Sequence, residues 1–188
     1  MQRLYDNWVY GGFLMGLILL ALLPLFVAGW PLLLQLGALS LPVYAIHQYE
    51  EHDADRFRLF VNDVIGGGKT ALSKADVFWI NTIGVWLYLV AVIYVGKIYG
   101  LGWIMAAPFL LGVNGLAHVL QAIFLRRYNP GLISAAILFL PLTGWMLWLG
   151  YSATNGLQMM CGLALAILAH LLILLLIWRN LLYSAKGN

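Results

Sequence analysis

His47, Glu50 and Glu51 fall within the stretch His47-Gln48-Tyr49-Glu50-Glu51. If a helix runs through it, they are spaced i, i+3 and i+4 and stack on one helical face. An imidazole and two carboxylates held that way suit metal ligation or acid–base work. Asn114, His118 and Gln121, at i, i+4 and i+7, likewise share one helical face as a polar stripe among Leu, Val and Ala, while Asn81 and His170 stand in apolar runs of their own.

The donor types limit the chemistry. A carboxylate-bridged di-iron centre of the ferritin type needs glutamates from several helices and two Glu-xx-His motifs, and here every glutamate lies on one segment. His47, His118 and His170 with Glu50 or Glu51 instead suit one zinc or iron ion, three or four protein ligands leaving a position for water. The other glutamate is then the candidate general base. A two-ion site bridged by both glutamates is the alternative. Asn81, Asn114, Gln121 and Asn129 are candidates for substrate contact or for orienting the ligands.

These residues sit in a chain of 188 residues that is 63% apolar and 9% charged, with a mean hydropathy of +0.90. Soluble domains carry about 25% charged residues, so a cytosolic enzyme is excluded. Cys161 is the single cysteine and offers neither a disulfide framework nor a CxxC site. The ten Lys and Arg are spread along the chain and make no nucleic-acid footprint.

From Val9 to Ile46 no residue is charged. As one helix this stretch would measure about 57 Å against a hydrocarbon core of about 30 Å, so it must cross twice, turning at Gly29-Trp30-Pro31. Val77 to Val95, Leu101 to Leu125, Leu132 to Gly150 and Leu157 to Trp178 add four more spans. The expected fold is an all-α transmembrane bundle of six helices forming a single domain over 1–188. With six crossings, nine of the ten cations fall on one side and only Lys97 on the other. That side is the cytoplasm by the positive-inside tendency, which places both termini there, in a membrane of the bacterial inner (plasma) type. His47 then sits at the cytoplasmic end of the second span, with His118 and His170 roughly 12–14 Å inside helix ends on the same side.

Residues 50–76 hold six of the seven acidic residues and four of the cations. Phe57, Leu59, Phe60, Val61, Val64 and Ile65 interleave with the charges, which predicts an interfacial helix on the membrane, ended by Gly66-Gly67-Gly68. His52 and Asp53 read as ordinary interfacial groups, Glu50 and Glu51 alternatively as partners of Arg56 or Arg58. Gly12 with Gly16, and Gly96 with Gly100, are spaced to let helices pack closely. Tyr128-Asn129-Pro130-Gly131 reads as a tight turn.

Taken in order, His47-Gln-Tyr-Glu50-Glu51, Asn114-Gly-Leu-Ala-His118 and Arg126-Arg-Tyr-Asn129-Pro130-Gly131-Leu132, followed by Leu140-Pro141, resemble the HXXEE-domain integral membrane proteins. The resemblance implies metal binding through His47, Glu50, Glu51, Asn114 and His118, and implies no particular reaction. His170 joins the set on depth alone.

A His/Glu cluster recessed among apolar helices points to a membrane metalloenzyme acting on a lipid or other hydrophobic small molecule, by hydrolysis first and iron-dependent oxidation second. A proton- or ion-coupled transporter using the same cluster is the competing class. Against it stand the lack of repeat symmetry and the confinement of the polar groups to one half of the membrane.

Overall fold

The computed structural model describes residues 1–186, the last two by backbone alone, so the side chain of Lys186 lies outside it. Among the described residues every regular element is helical. Helix α1 (Gln2–Phe26) leads through a turn with Gly29 at φ +77° into α2 (Leu32–His52), where Pro31 opens the helix at φ −54°. After a 3-10 turn at Asp53–Asp55 comes the short α3 (Arg56–Phe60), continued by a π-helical turn at Val61–Ile65. The long helices α4 (Lys74–Tyr99), α5 (Leu101–Leu125), α6 (Leu132–Ala153) and α7 (Gly156–Lys186) follow.

Five helices, α1, α4, α5, α6 and α7, are long and apolar enough to cross a membrane. The helix expected as the second span, α2, is 21 residues long but is not one of these. His47, Gln48, Glu50, Glu51 and His52 crowd its last two turns. Its placement accounts for the difference: α1, α4, α5 and α6 surround α2, and most of its side chains are buried. A helix that faces other helices rather than lipid can carry polar groups at little cost. α1 packs close along it because Gly16 stands over Ala45, where a Cβ would come within 2.6 Å of the alanine methyl.

The main core lies where α2, α4, α5 and α6 meet, around Leu33, Tyr44, Leu89, Ile104, Leu111, Phe139 and Met146. A second cluster at one end of the bundle joins Trp8 and Val9 of α1 to Phe60, Val61, Leu72 and Phe78. Within the segment 50–76, expected to lie on the membrane, this second cluster takes up part of the apolar face. Phe60 and Val61 are buried against the bundle, leaving Leu59 and Ile65 exposed. Asn62 clamps the following loop, its Oδ1 accepting from Ala71 N–H at 2.9 Å and Leu72 N–H at 2.8 Å. Ser73 and Asp76 then form a capping box that starts α4.

The two ends of the bundle differ in charge. At the α3 end, Lys74 pairs with Asp6, Arg56 with Asp53 and Arg58 with Asp55, and Arg127 lies over the Phe60 ring. Asn180 of α7 reaches Ala71 and Asp76 at the same end. Lys97 is at the opposite end, its ammonium 3.8 Å from the Trp30 ring centroid in the α1–α2 turn.

Candidate metal centre

Because α2 continues unbroken through Glu51, its 3.6-residue period separates three polar faces. His47 and Glu51, one turn apart, point the same way, with His47 Nε2 3.5 Å from Glu51 Oε2. His118 enters from α5 and places its Nε2 3.4 Å from Glu51 Oε1. Ligand atoms of His47, Glu51 and His118 all lie within 4.8 Å of one another. The three residues are 0%, 5% and 5% exposed.

Partners around the rings fix which nitrogen of each imidazole faces inward. Asn129 Nδ2 donates to the His118 backbone carbonyl at 2.8 Å, which turns Asn129 Oδ1 toward His118 Nδ1 at 2.7 Å. A carbonyl oxygen only accepts, so His118 carries a proton on Nδ1, and its neutral form keeps the lone pair on Nε2. Ser134 does the same for His47. Its hydroxyl donates to Glu50 Oε2 in a short hydrogen bond, and its oxygen accepts from His47 Nδ1 at 2.9 Å. With both rings neutral, two imidazole lone pairs face one carboxylate, and His47 Nε2 has no hydrogen-bond partner among the described residues. Two neutral imidazoles and a carboxylate so placed could hold a cation between them. Two histidines and one carboxylate, each held from behind, are a ligand set that fits a zinc or iron ion.

The turn between α5 and α6 closes the group. Gly131 adopts φ +95°, and a Cβ there would stand 2.8 Å from the Cε1 atoms of both His47 and His118. Only glycine allows both the conformation and the approach. A π-helical turn at Ala135–Phe139 follows Ser134 and brings the Phe139 ring to 4.3 Å from the His47 ring. Such turns recur at functional sites because they re-aim side chains within a helix.

Glu50, expected as a ligand or base, faces the turn instead. Its carboxylate accepts from the Tyr128 hydroxyl at 2.8 Å, from the backbone N–H groups of Ile133 (3.0 Å) and Ser134 (2.6 Å), and from the Ser134 hydroxyl. It thereby caps the N-terminus of α6, where unpaired N–H groups favour an anion. Burial, and then the Glu50 carboxylate, raise the Tyr128 phenol above its ordinary pKa.

The remaining expected residues divide. Asn129 is fully buried against His118. Asn81 reaches the group through His52: Trp86 Nε1 donates to Gln48 Oε1 at 2.6 Å, Gln48 Nε2 donates to Asn81 Oδ1 at 2.7 Å, and Asn81 Nδ2 approaches His52 Nε2 at 3.2 Å. His170 is not brought into the group, since α7 packs along α5 and His170 Nδ1 donates to its own helix at Ala166 O, 2.8 Å away. Asn114 has its Oδ1 buried without a partner among the described residues, and Gln121 is half-buried. Neither forms a hydrogen bond to the side chains of His47, Glu51 or His118.

Sequence reasoning missed Ser134 and Gln48 and gave His52 an interfacial role. His52 Nε2 lies 3.0 Å from Glu51 Oε2, and its ring also edges a polar cleft of about 270 Å³ lined by Tyr5, Asp6, Tyr10 and Lys74. The signal for His52 was its position directly after Glu51. Ser134 carries none, because only the fold of the turn brings it to His47.

A family model described as a protein of unknown function with an HXXEE motif matches residues 38–146, more than half of the chain. The chain belongs to the HXXEE-motif family. No curated protein and no solved structure matches it. The matched stretch runs from α2 into α6 and contains His47, Glu51, His118, Asn129, Gly131 and Ser134, while α1 and His170 lie outside it. Within the HXXEE motif itself the three named positions separate in role: His47 and Glu51 face His118, and Glu50 faces the turn that orients them.

Proposed function

We propose that this chain is a membrane-embedded, metal-dependent hydrolase of a lipid-like substrate, with its site in the cytoplasmic half of a six-span bundle in the plasma membrane. In this reading α2 is the sixth crossing, its 21 residues giving about 32 Å of helix. The gathering of cations at the α3 end supports cytoplasmic termini.

The observation that carries the functional reading is the pair of inward-facing Nε2 atoms on either side of Glu51. His47, His118 and Glu51 would hold the ion, which when bound supplies Lewis-acid polarisation of an ester or amide carbonyl. Asn129 and Ser134 keep both imidazoles in the ligating tautomer. Phe139, Tyr44 and Phe57 pack on the rings and keep bulk water out. His52 stands between Glu51 and the polar cleft, and its Nε2, which accepts from Asn81 Nδ2, is placed to take up a proton. Glu50 is less suited to that task, because its oxygens already accept four hydrogen bonds.

Elemental analysis of the purified protein tests the centre: one zinc per chain is expected, lost in the His47→Ala/His118→Ala variant. Hydrolysis of long-chain esters should then disappear on chelation and return with zinc. Absence of stoichiometric metal, or its full retention in the double variant, overturns the proposal. Two histidines and one carboxylate are equally the set of non-haem iron oxygenases, so stoichiometric iron would select the oxidative reading.

A further inference from the structure

A groove of about 560 Å³ runs between α1, α2 and α4, on the other side of Trp8 from the polar cleft. That volume is within the range of about 300–1,000 Å³ typical of small-molecule sites. Along α1 the groove extends from Arg3 to Leu19, about 24 Å of helix. Its lining is apolar apart from Thr82 and, at one end, Arg3 and Asn7. Arg3 forms no ion pair among the described residues, whereas Lys74 nearby is engaged by Asp6.

The glycines of α1 shape the groove. Gly12 lies under the Trp86 ring, and Gly16 is committed to Ala45, so their close-packing faces are already used within the chain rather than free for a second copy. Gly11 differs, because a Cβ there would meet nothing within 4 Å. The result is a long channel with small residues on its floor, Trp86, Phe78 and Met15 on its walls, and a single free cation at the polar end. A narrow flexible chain fits this shape better than a helix about 10 Å across.

We propose that the groove binds a long-chain carboxylate, a free fatty acid, with its alkyl chain between α1 and α4 and its carboxylate on Arg3. One guanidinium matches one negative charge and offers a bidentate donor pair for it. The inference rests on the membrane-embedded reading above but not on the metal centre. Because Trp8 lines both cavities and its ring lies 5.1 Å from that of His52, a bound chain would stand one side chain away from the residue that contacts Glu51.

The test is photolabelling of the purified full-length protein with a hexadecanoate bearing a diazirine at the chain end, with adducts mapped by mass spectrometry and metal content measured on the same samples. Saturable adducts are expected at the Leu19, Leu41 and Val90 end of the groove, with hexadecanoate competing about tenfold better than hexadecan-1-ol. Gly11→Phe should abolish the adducts by filling open space, and Arg3→Gln should remove the preference for the acid. Both variants should keep the metal content and elution profile of the wild type. Non-saturable labelling spread over α5 and α7, adducts unchanged by Gly11→Phe, or a cross-linked dimer through α1 would each overturn the proposal. Loss of metal with the adducts intact would instead count against the metal centre alone.

Discussion

Asn129 grips His118 twice, accepting from its Nδ1 at 2.7 Å and donating to its backbone carbonyl at 2.8 Å. The first contact sets the tautomer and the second sets the amide, so neither can invert without breaking the other. Asn129→Leu is expected to weaken zinc binding about 10- to 100-fold, the usual scale for losing an orienting partner, while leaving the chain folded. Competition against a chelator of known affinity measures it, and unchanged affinity would show that His118 needs no such hold.

Gly131→Ala asks more of the fold. A left-handed alanine costs about 1–2 kcal/mol, and its methyl would press on both ligating imidazoles. Lower thermal stability together with loss of metal is expected. A variant that lost stability but kept full metal content would show that the imidazoles can shift without consequence.

The adjacent glutamates should behave differently. Glu50→Gln replaces an acceptor of four hydrogen bonds by an amide with one accepting oxygen, and should destabilise by about 1–3 kcal/mol while the ion remains bound. Glu51→Gln should reduce metal binding at least tenfold with a smaller effect on unfolding. Parallel unfolding curves and metal titrations separate the two outcomes, and identical behaviour of both variants would refute the division of roles.

Ala54 sits at φ +52° and ψ +30° in the turn between α2 and α3. Ala54→Gly should raise stability by about 0.5–1 kcal/mol, the relief of left-handed strain outweighing the added freedom of the unfolded chain. Denaturant unfolding in detergent would detect the gain. A decrease would mean that the alanine methyl contributes packing that outweighs its backbone strain.

The sequence made the helices legible wherever apolar length and breakers determine them, and the turn at Gly29-Trp30-Pro31 falls where it was expected. It also brought His47, Glu51 and His118 together, because helical period and distance from the last cation carry depth and facing. Depth without facing misled at His170, which lies at a comparable level but on a helix that packs outside α5. Glu50 was misassigned because the same i, i+3, i+4 spacing describes a shared stripe only to within about one side chain's width, and the α6 N-terminus draws the carboxylate aside. Ser134 and Gln48 act through contacts between segments far apart in the chain, for which no local pattern exists.

The enclosure of α2 bears on how the protein is made. With five polar residues in its last two turns, α2 gains less from hydrocarbon than its neighbours do, so on the proposed six-span reading it would enter the bilayer best in the company of α1, whose Gly16 is shaped to receive Ala45. The helix carrying His47 and Glu51 thus leaves the ribosome early, and its polar face stays open until His118 and the Gly131 turn have been synthesised and docked. In the proposed reading the group of His47, Glu51 and His118 is completed once α1, α4 and α5 and the turn after them have been made, and a defect in α1 would be felt at those three residues without touching any of them.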